Sequence, residues 1–237
     1  MKTIFYPASA RGHVNFGWLD SRHSFSFGNW HHPEKVHFGA LRVLNDDTVE
    51  GGKGFDTHPH ENMEIISIPL KGALAHKDST GTEGIIFSGD VQIMSAGSGI
   101  RHSEYNASHY DPVNFLQLWI FPKQLNIKPR HEQKRFDTAG RNGQWQVVVS
   151  TDVNEGGVWI NQSARLSMVR LAAGTEISYQ MTLPGSGVYV FVLEGDVIVG
   201  DQSLGRRDGL GITETDVFTV KAVTAAELLA IEVPMFA

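Results

Sequence analysis

Two short strings of the sequence alternate metal-ligating residues with other residues. In HPHENME the pair is His58 and His60, and in RHSEYN it is His102 and Glu104. Successive side chains of a β-strand point to opposite faces, so the members of each pair would share one face. Three imidazole nitrogens and one carboxylate oxygen meeting inside a barrel would hold a divalent cation, and a ligand set without thiolate suits Fe, Mn, Ni, Cu or Zn.

The carboxylate position has two candidates. If the strand that begins at His58 stays regular, residues 58, 60, 62 and 64 share one face, and Glu64 points inward together with the histidines. Glu64 therefore competes with Glu104 for the metal. If Glu104 is the ligand, Glu64 is expected to support the site, for example by orienting a ligand imidazole.

Four protein groups leave one or two positions open on a five- or six-coordinate ion, and an open position distinguishes a catalytic site from a closed structural one. Such a site could bind a chelating enediol or 3-hydroxy-4-oxo unit and lower the pKa of its hydroxyl. Glu104 could then act as the base that takes the hydroxyl proton.

The elements that must position these residues are strands. The chain has 25 glycines, and most apolar stretches are short, alternate with polar residues and end in Gly, Asp or Asn, which predicts strands and turns. Residues 122–143 lack this alternation and are polar. We therefore predict a first unit at 1–130, a linker at 131–143 and a second unit at 144–237.

The second unit resembles a degenerate copy of the first. Residues 65–78 align with 188–201, which brings Gly72 onto Gly195. The same offset places Met181 and Leu183 where the first unit has its paired histidines. All 11 histidines lie at or before residue 131, so a histidine-rich metal site is expected in the first unit alone.

Composition excludes several classes of protein. The chain has 237 residues, 41% of them hydrophobic and 19% charged, with a net charge of -6 and no cysteine. Disulfides, thiolate ligands and a cysteine nucleophile are excluded, and without a basic stripe we expect no direct binding of nucleic acid or of an anionic membrane. The N-terminus lacks a signal-peptide pattern and no apolar run would span a membrane. We expect a soluble cytoplasmic protein, and a monomer because no heptad pattern favours assembly.

The glycine and histidine spacing resembles two cupin signatures, with departures. Gly72 comes one residue late, and His102 lies two residues further from Gly97 than the signature expects. Bacterial pirins show such departures. The sequence closely resembles that family over most of residues 11–136, in the strings FSFGNW, FGALRVLNDDTVEGGKGFDTHPHENMEI and QIMSAGSGIRHSEYN.

Similarity to pirins implies an all-β bicupin, two tandem cupin barrels of the double-stranded β-helix or jelly-roll kind, with a metal in the first barrel only. It implies one divalent ion held by His58, His60, His102 and Glu104, which favours Glu104 over Glu64. The ion expected from the family is Fe2+, with Mn, Ni, Cu, Zn or Co as alternatives. For several bacterial members the resemblance also implies quercetin 2,3-dioxygenase activity, in which O2 opens the heterocycle of a flavonol and CO is released.

The resemblance leaves a second class of function open. Some pirins are regulatory proteins that contact a protein partner and use iron as a redox switch or structural pin, and a cupin isomerase or sugar-binding protein is a weaker alternative. The regulatory and enzymatic hypotheses share one ligand set. A roomy, mostly apolar cavity over the metal would favour the enzyme, whereas a charged patch beside a closed metal would favour the binding protein.

Overall fold

The computed structural model describes residues 1–236, which form strands and three short 3-10 turns. None of these helical turns could span a membrane. The strands are β1 Lys2–Tyr6, β2 Gly12–Asn15, β3 Leu19–His23, β4 Leu41–Val49, β5 Gly54–His60, β6 Glu64–Lys71, β7 Ala73–Asp78, β8 Glu83–Phe87, β9 Asp90–Ser95, β10 Ile100–Asn106, β11 Val113–Ile120, β12 Arg130–Arg135, β13 Gln146–Ser150, β14 Val158–Trp159, β15 Arg165–Leu171, β16 Glu176–Gln180, β17 Ser186–Glu194, β18 Val197–Val199, β19 Gln202–Leu204, β20 Gly209–Thr213, β21 Val217–Ala222 and β22 Ala226–Pro234.

These strands form two barrels, each made of a seven-stranded and a four-stranded sheet. In the first barrel the orders are β12-β9-β6-β11-β4-β3-β2 and β5-β10-β7-β8. In the second barrel they are β1-β20-β17-β22-β15-β13-β14 and β16-β21-β18-β19. The central strands correspond one to one, β9-β6-β11-β4 with β20-β17-β22-β15. The predicted all-β bicupin fold and its internal repeat are confirmed.

The two barrels share a hydrophobic core between their seven-stranded sheets. Fully buried side chains of the first barrel, such as Leu44 and Leu118, belong to one cluster with Leu166 and Ile231 of the second. Each such side chain contributes roughly 1.5–3 kcal/mol when it leaves water. An ion pair adds to this interface, because Nε of Arg207 donates to the carboxylate of Asp46 at 2.8 Å. The barrels are therefore fastened to each other by packing as well as by the connecting chain.

Two segments depart from the predicted division of the chain. β1 pairs with β20 and so lies in the second barrel, although it begins the chain. β12 pairs with β9 at the edge of the first barrel, so the predicted linker at 131–143 begins inside a strand. Its sequence, RHEQKR, is polar on both faces, as suits an edge strand, and carries no apolar alternation by which a strand could be recognised.

The interior of the second barrel is filled by its own side chains. Tyr179 and Phe218 stack with ring centroids 5.3 Å apart, and Val199 and Val220 are fully buried beside them. Because Val199 and Val220 pair across β18 and β21, they occupy the places that His76 and Glu104 hold in the first barrel. The second barrel is thus a packed apolar core at the position where the first has polar groups.

Candidate metal centre

Strands β5 and β10 bring the three predicted histidines together. In their antiparallel register His102 lies directly opposite His58, and Ile100 lies opposite His60. The ring centroids are 4.5 Å apart for His58 and His102, 4.8 Å for His58 and His60, and 4.9 Å for His60 and His102. One ligand nitrogen of each histidine lies within 4.8 Å of the other two. A single ion could bridge these three groups.

The pairing of β5 with β10 has two local features that shape this arrangement. The register shifts between His102 and Glu104, so that Glu104 pairs with Phe55 and β5 carries an extra residue there. Such a bulge turns side chains toward a site. Below it, the strands approach so closely at Gly54 that a Cβ atom would lie 2.4 Å from the backbone oxygen of Glu104. Glycine at this position therefore allows the strands to approach each other.

The protonation state of the histidines suits metal binding. Burial, followed by the neighbouring histidines, lowers the pKa of His60 to about 4 and that of His102 to about 3, so both rings are neutral at physiological pH. His58 donates from Nδ1 to the backbone oxygen of Asp56 at 2.7 Å, which leaves its Nε2 with a free lone pair. Among the described residues, neither ring nitrogen of buried His102 has a hydrogen-bond partner. Such orphaned nitrogens are rare unless a ligand satisfies them, so the donor set fits a divalent metal.

Glu104 lies beside the histidine triad and is held in place by two side chains. Its carboxylate is 2% exposed and accepts hydrogen bonds from Oγ of Ser67 at 2.8 Å and from Nε2 of Gln117 at 2.7 Å. One of its oxygens lies within 4.8 Å of ligand atoms of His102 and His76. Glu104 thus joins the cluster through His102. Its two hydrogen bonds leave lone pairs for a metal or a proton.

Glu64 does not take the role that the sequence suggested. β5 belongs to the four-stranded sheet and β6 to the seven-stranded one, and the chain turns between them at Asn62, whose φ is +49°. The alternation that starts at His58 therefore ends before Glu64. The Glu64 carboxylate accepts from Oγ of Ser95 at 2.8 Å and from the backbone N–H of Asn161 at 3.1 Å. The expectation that Glu64 orients a ligand imidazole was wrong.

A buried histidine behind the triad was missed in the sequence. His76 is 2% exposed, donates to Asp78 at 3.0 Å and has its ring 5.5 Å from that of His102 and 5.0 Å from that of His131. It is not among the candidate ligands that the sequence indicates. The signal that could have found it is strand parity. Leu74, His76 and Asp78 lie at every second position of β7 and so share one face, which is buried.

A cavity of about 490 Å3 opens over the triad on the side of the seven-stranded sheet. Its volume is within the range of about 300–1,000 Å3 that small-molecule sites occupy. His58, His60, His102 and Glu104 form part of its lining. The surface of the cavity is mostly apolar, and its apolar lining residues include Phe16, Leu19, Phe27, Phe55, Ile65 and Trp119.

Known proteins share this architecture over the whole chain. The family called Pirin matches residues 6–120, and a quercetinase C-terminal cupin domain matches residues 147–233. Quercetin 2,3-dioxygenase of Escherichia coli K12 is 40% identical over 96% of either chain. The chain belongs to the pirin family. A putative quercetin 2,3-dioxygenase of Pseudomonas aeruginosa resembles this pirin at 38% identity, over 96% of this chain and 97% of the relative.

Solved structures of a pirin superpose closely on this one. YhhW from Escherichia coli matches with a TM-score of 0.95 at 38% identity, covering 99% of both chains. The same bacterial pirin in complex with nickel(II) matches with a TM-score of 0.93 at 37% identity, covering 99% of this chain and 100% of that one. The predicted resemblance is confirmed. This pirin is an enzyme of the quercetin 2,3-dioxygenase-like, metal-dependent type.

Proposed function

We propose that this pirin opens the heterocycle of a flavonol such as quercetin with O2 and releases CO. The observation that carries the proposal is the cavity of about 490 Å3, whose surface is mostly apolar, directly over the histidine triad. A regulatory pirin that uses its metal as a structural pin needs no such space. The names of the relatives support the same substrate class.

We assign the metal ligands to His58, His60, His102 and Glu104, and Fe2+ is the expected ion. When bound there, the metal would offer an open position for the 3-hydroxy-4-oxo unit of a flavonol and a path for electrons to O2. The neutral imidazoles and the buried carboxylate provide a net charge of -1 toward the ion, so a dication would be only partly neutralised and would still attract a flavonol oxygen.

Within this proposal Glu104 is also the catalytic base. A carboxylate oxygen of Glu104 would take the proton of the 3-hydroxyl group. Ser67 and Gln117 donate to this carboxylate, so its orientation is set before a substrate enters. Trp119 lies with its ring 5.0 Å from that of His60 and covers the apolar side of the site. Such apolar walls exclude water and strengthen the electrostatic interactions of the reacting groups.

Oxygen uptake tests the proposal. Metal-loaded protein should consume O2 when quercetin is added and release CO, whereas His58→Ala should lose both signals together with its metal. The matched control is His31→Ala, because His31 is an exposed loop histidine and its loss should change neither metal content nor uptake. If wild-type protein and His58→Ala give the same uptake, this pirin is not a flavonol dioxygenase.

A further inference from the structure

The wall of the cavity that faces the histidine triad carries polar residues which the proposed reaction does not use. On β3 and β4, His23 pairs directly with Asn45, and Ser21 pairs with Asp47. All four side chains are buried and line the cavity. In a cavity that is otherwise largely apolar, a group of buried polar residues on one wall points to recognition of a polar part of the ligand.

Two atoms of this wall have no partner among the described residues. They are Nδ1 of His23 and Oδ1 of Asn45, and both are buried. Buried polar atoms in native structures nearly always have a hydrogen-bond partner, because an unsatisfied one loses its interaction with water. A ligand with polar groups at this wall would hydrogen-bond with both side chains.

The neighbouring residues hold one ring nitrogen of His23. Oγ of Ser21 is hydrogen-bonded to Asp47 and lies 2.8 Å from Nε2 of His23. Nε2 is therefore already paired, and Nδ1 is the ring nitrogen without a partner among the described residues. Burial lowers the pKa of His23 to about 4, so its ring is neutral. The wall therefore presents two hydrogen-bonding side chains, the ring of His23 and the amide of Asn45.

A continuous row of aromatic rings connects the triad with this wall. Ring centroids are 5.0 Å apart between His60 and Trp119, 5.3 Å between Trp119 and Phe27, and 5.2 Å between Phe27 and His23. Successive rings are nearly perpendicular, with interplanar angles of 82°, 84° and 74°, and an aromatic ligand can pack edge-to-face against them. One end of that ligand would face His60 and the other His23.

We propose that His23 and Asn45 form a subsite that hydrogen-bonds two adjacent hydroxyl groups on the pendant ring of a polyphenol, with Ser21 and Asp47 orienting His23. Directly paired residues on antiparallel strands have their Cβ atoms about 4.5–5.5 Å apart, a spacing that two neighbouring ring hydroxyls can reach. The subsite rests on the proposed function for its orientation, since the other end of the ligand must face the triad. It narrows the substrate class to flavonols with a catechol ring.

Binding of a matched pair of ligands without O2 tests the subsite. The pair is quercetin and 3,5,7-trihydroxyflavone, which lacks only the two hydroxyls of the pendant ring. Dissociation constants for the metal-loaded protein come from quenching of tryptophan fluorescence under anaerobic conditions. Wild-type protein should bind quercetin more tightly by roughly 5- to 100-fold, the effect of two hydrogen bonds. His23→Phe and Asn45→Leu should each reduce this ratio to roughly a third or less.

The control and the opposing outcomes keep the subsite separate from the proposed function. Arg22 is next to His23 in the sequence, but its side chain is exposed and does not line the cavity. The ratio of the two dissociation constants for Arg22→Ala should therefore equal that of wild type. Thermal unfolding checks that each variant folds, and Asn45→Leu decides alone if His23→Phe does not. A wild-type ratio near one, or an unchanged ratio in folded variants, overturns the subsite even with normal O2 uptake. If wild-type protein discriminates between the two ligands, the variants abolish that discrimination and no O2 uptake is seen, only the dioxygenase proposal is overturned.

Discussion

Asp47→Asn should make the chain more stable at alkaline pH and have little effect at acid pH. Burial, reinforced by repulsion from Asp46 and Glu104 and opposed by the hydrogen bond from Ser21, raises the pKa of Asp47 from 3.8 to about 7. The folded chain therefore keeps this proton over a pH range in which the unfolded chain has lost it. The stability that the protonated carboxyl contributes is complete below about pH 4 and is lost as pH rises through about 7.

The size of the effect follows from the pKa difference. A shift of about three units corresponds to about 4 kcal/mol at 1.36 kcal/mol per unit. This is an upper value, because the asparagine loses the charged hydrogen bond from Ser21. Relative to wild type, the free energy of unfolding of Asp47→Asn should rise by about 2–3 kcal/mol between pH 4.5 and pH 9, since roughly 1 kcal/mol of the difference is already present at pH 4.5.

Urea denaturation of metal-free protein at several pH values between 4.5 and 9 measures this difference. Asp201→Asn serves as the control, since Asp201 lies on an exposed turn of the second barrel and reports the general effect of removing one negative charge. A difference between Asp47→Asn and wild type that stays constant, or that decreases as pH rises, would refute the assignment of a buried, proton-retaining carboxyl.

Two further substitutions test the structural roles of single residues. Gly54→Ala would place a Cβ 2.4 Å from the backbone oxygen of Glu104, so it should push β5 away from β10 and reduce bound metal, measured by elemental analysis. Gly84→Ala on the same sheet meets no neighbouring atom and should keep its metal. Glu232→Ala removes a buried carboxylate that accepts from Tyr179, Thr182, Leu183 and Ser186. Because each buried donor left without a partner costs about 1–3 kcal/mol, the free energy of unfolding by urea titration should fall by at least about 3 kcal/mol. The metal content of Glu232→Ala should not change, and a loss of bound metal in this variant would contradict the expectation.

Much of the fold was readable from local patterns. Strand alternation and the turn residues Gly, Asp and Asn predicted an all-β chain because the period of two and the need for positive φ are properties of a few consecutive residues. The repeat was visible because β6 and β7 of one barrel and β17 and β18 of the other kept their pattern of buried positions around Gly72 and Gly195. Both glycines have positive φ, +78° and +84°, which explains why this residue persists in both copies.

The members of each ligand pair could be placed together from the sequence alone because each pair lies within one strand. Parity within a strand puts His58 with His60 and His102 with Glu104, and it needs no information about the rest of the chain. The convergence of the three histidines agrees with this prediction. The assignment of Glu104 as the fourth ligand stays a prediction, supported by the hydrogen bonds that hold its carboxylate beside His102.

Other features depended on pairings between distant strands. Alternation ends where a chain turns, so the sequence could not show that Asn62 separates Glu64 from the histidine face. It could not show that β10 covers His76, or that β3 and β4 bring His23 and Asn45 to the far wall of the same cavity. The sequence by itself therefore determined which residues share a strand face, because that follows from local backbone geometry. Only the tertiary structure decided which faces meet, because sheet order and register depend on the packing of the whole chain.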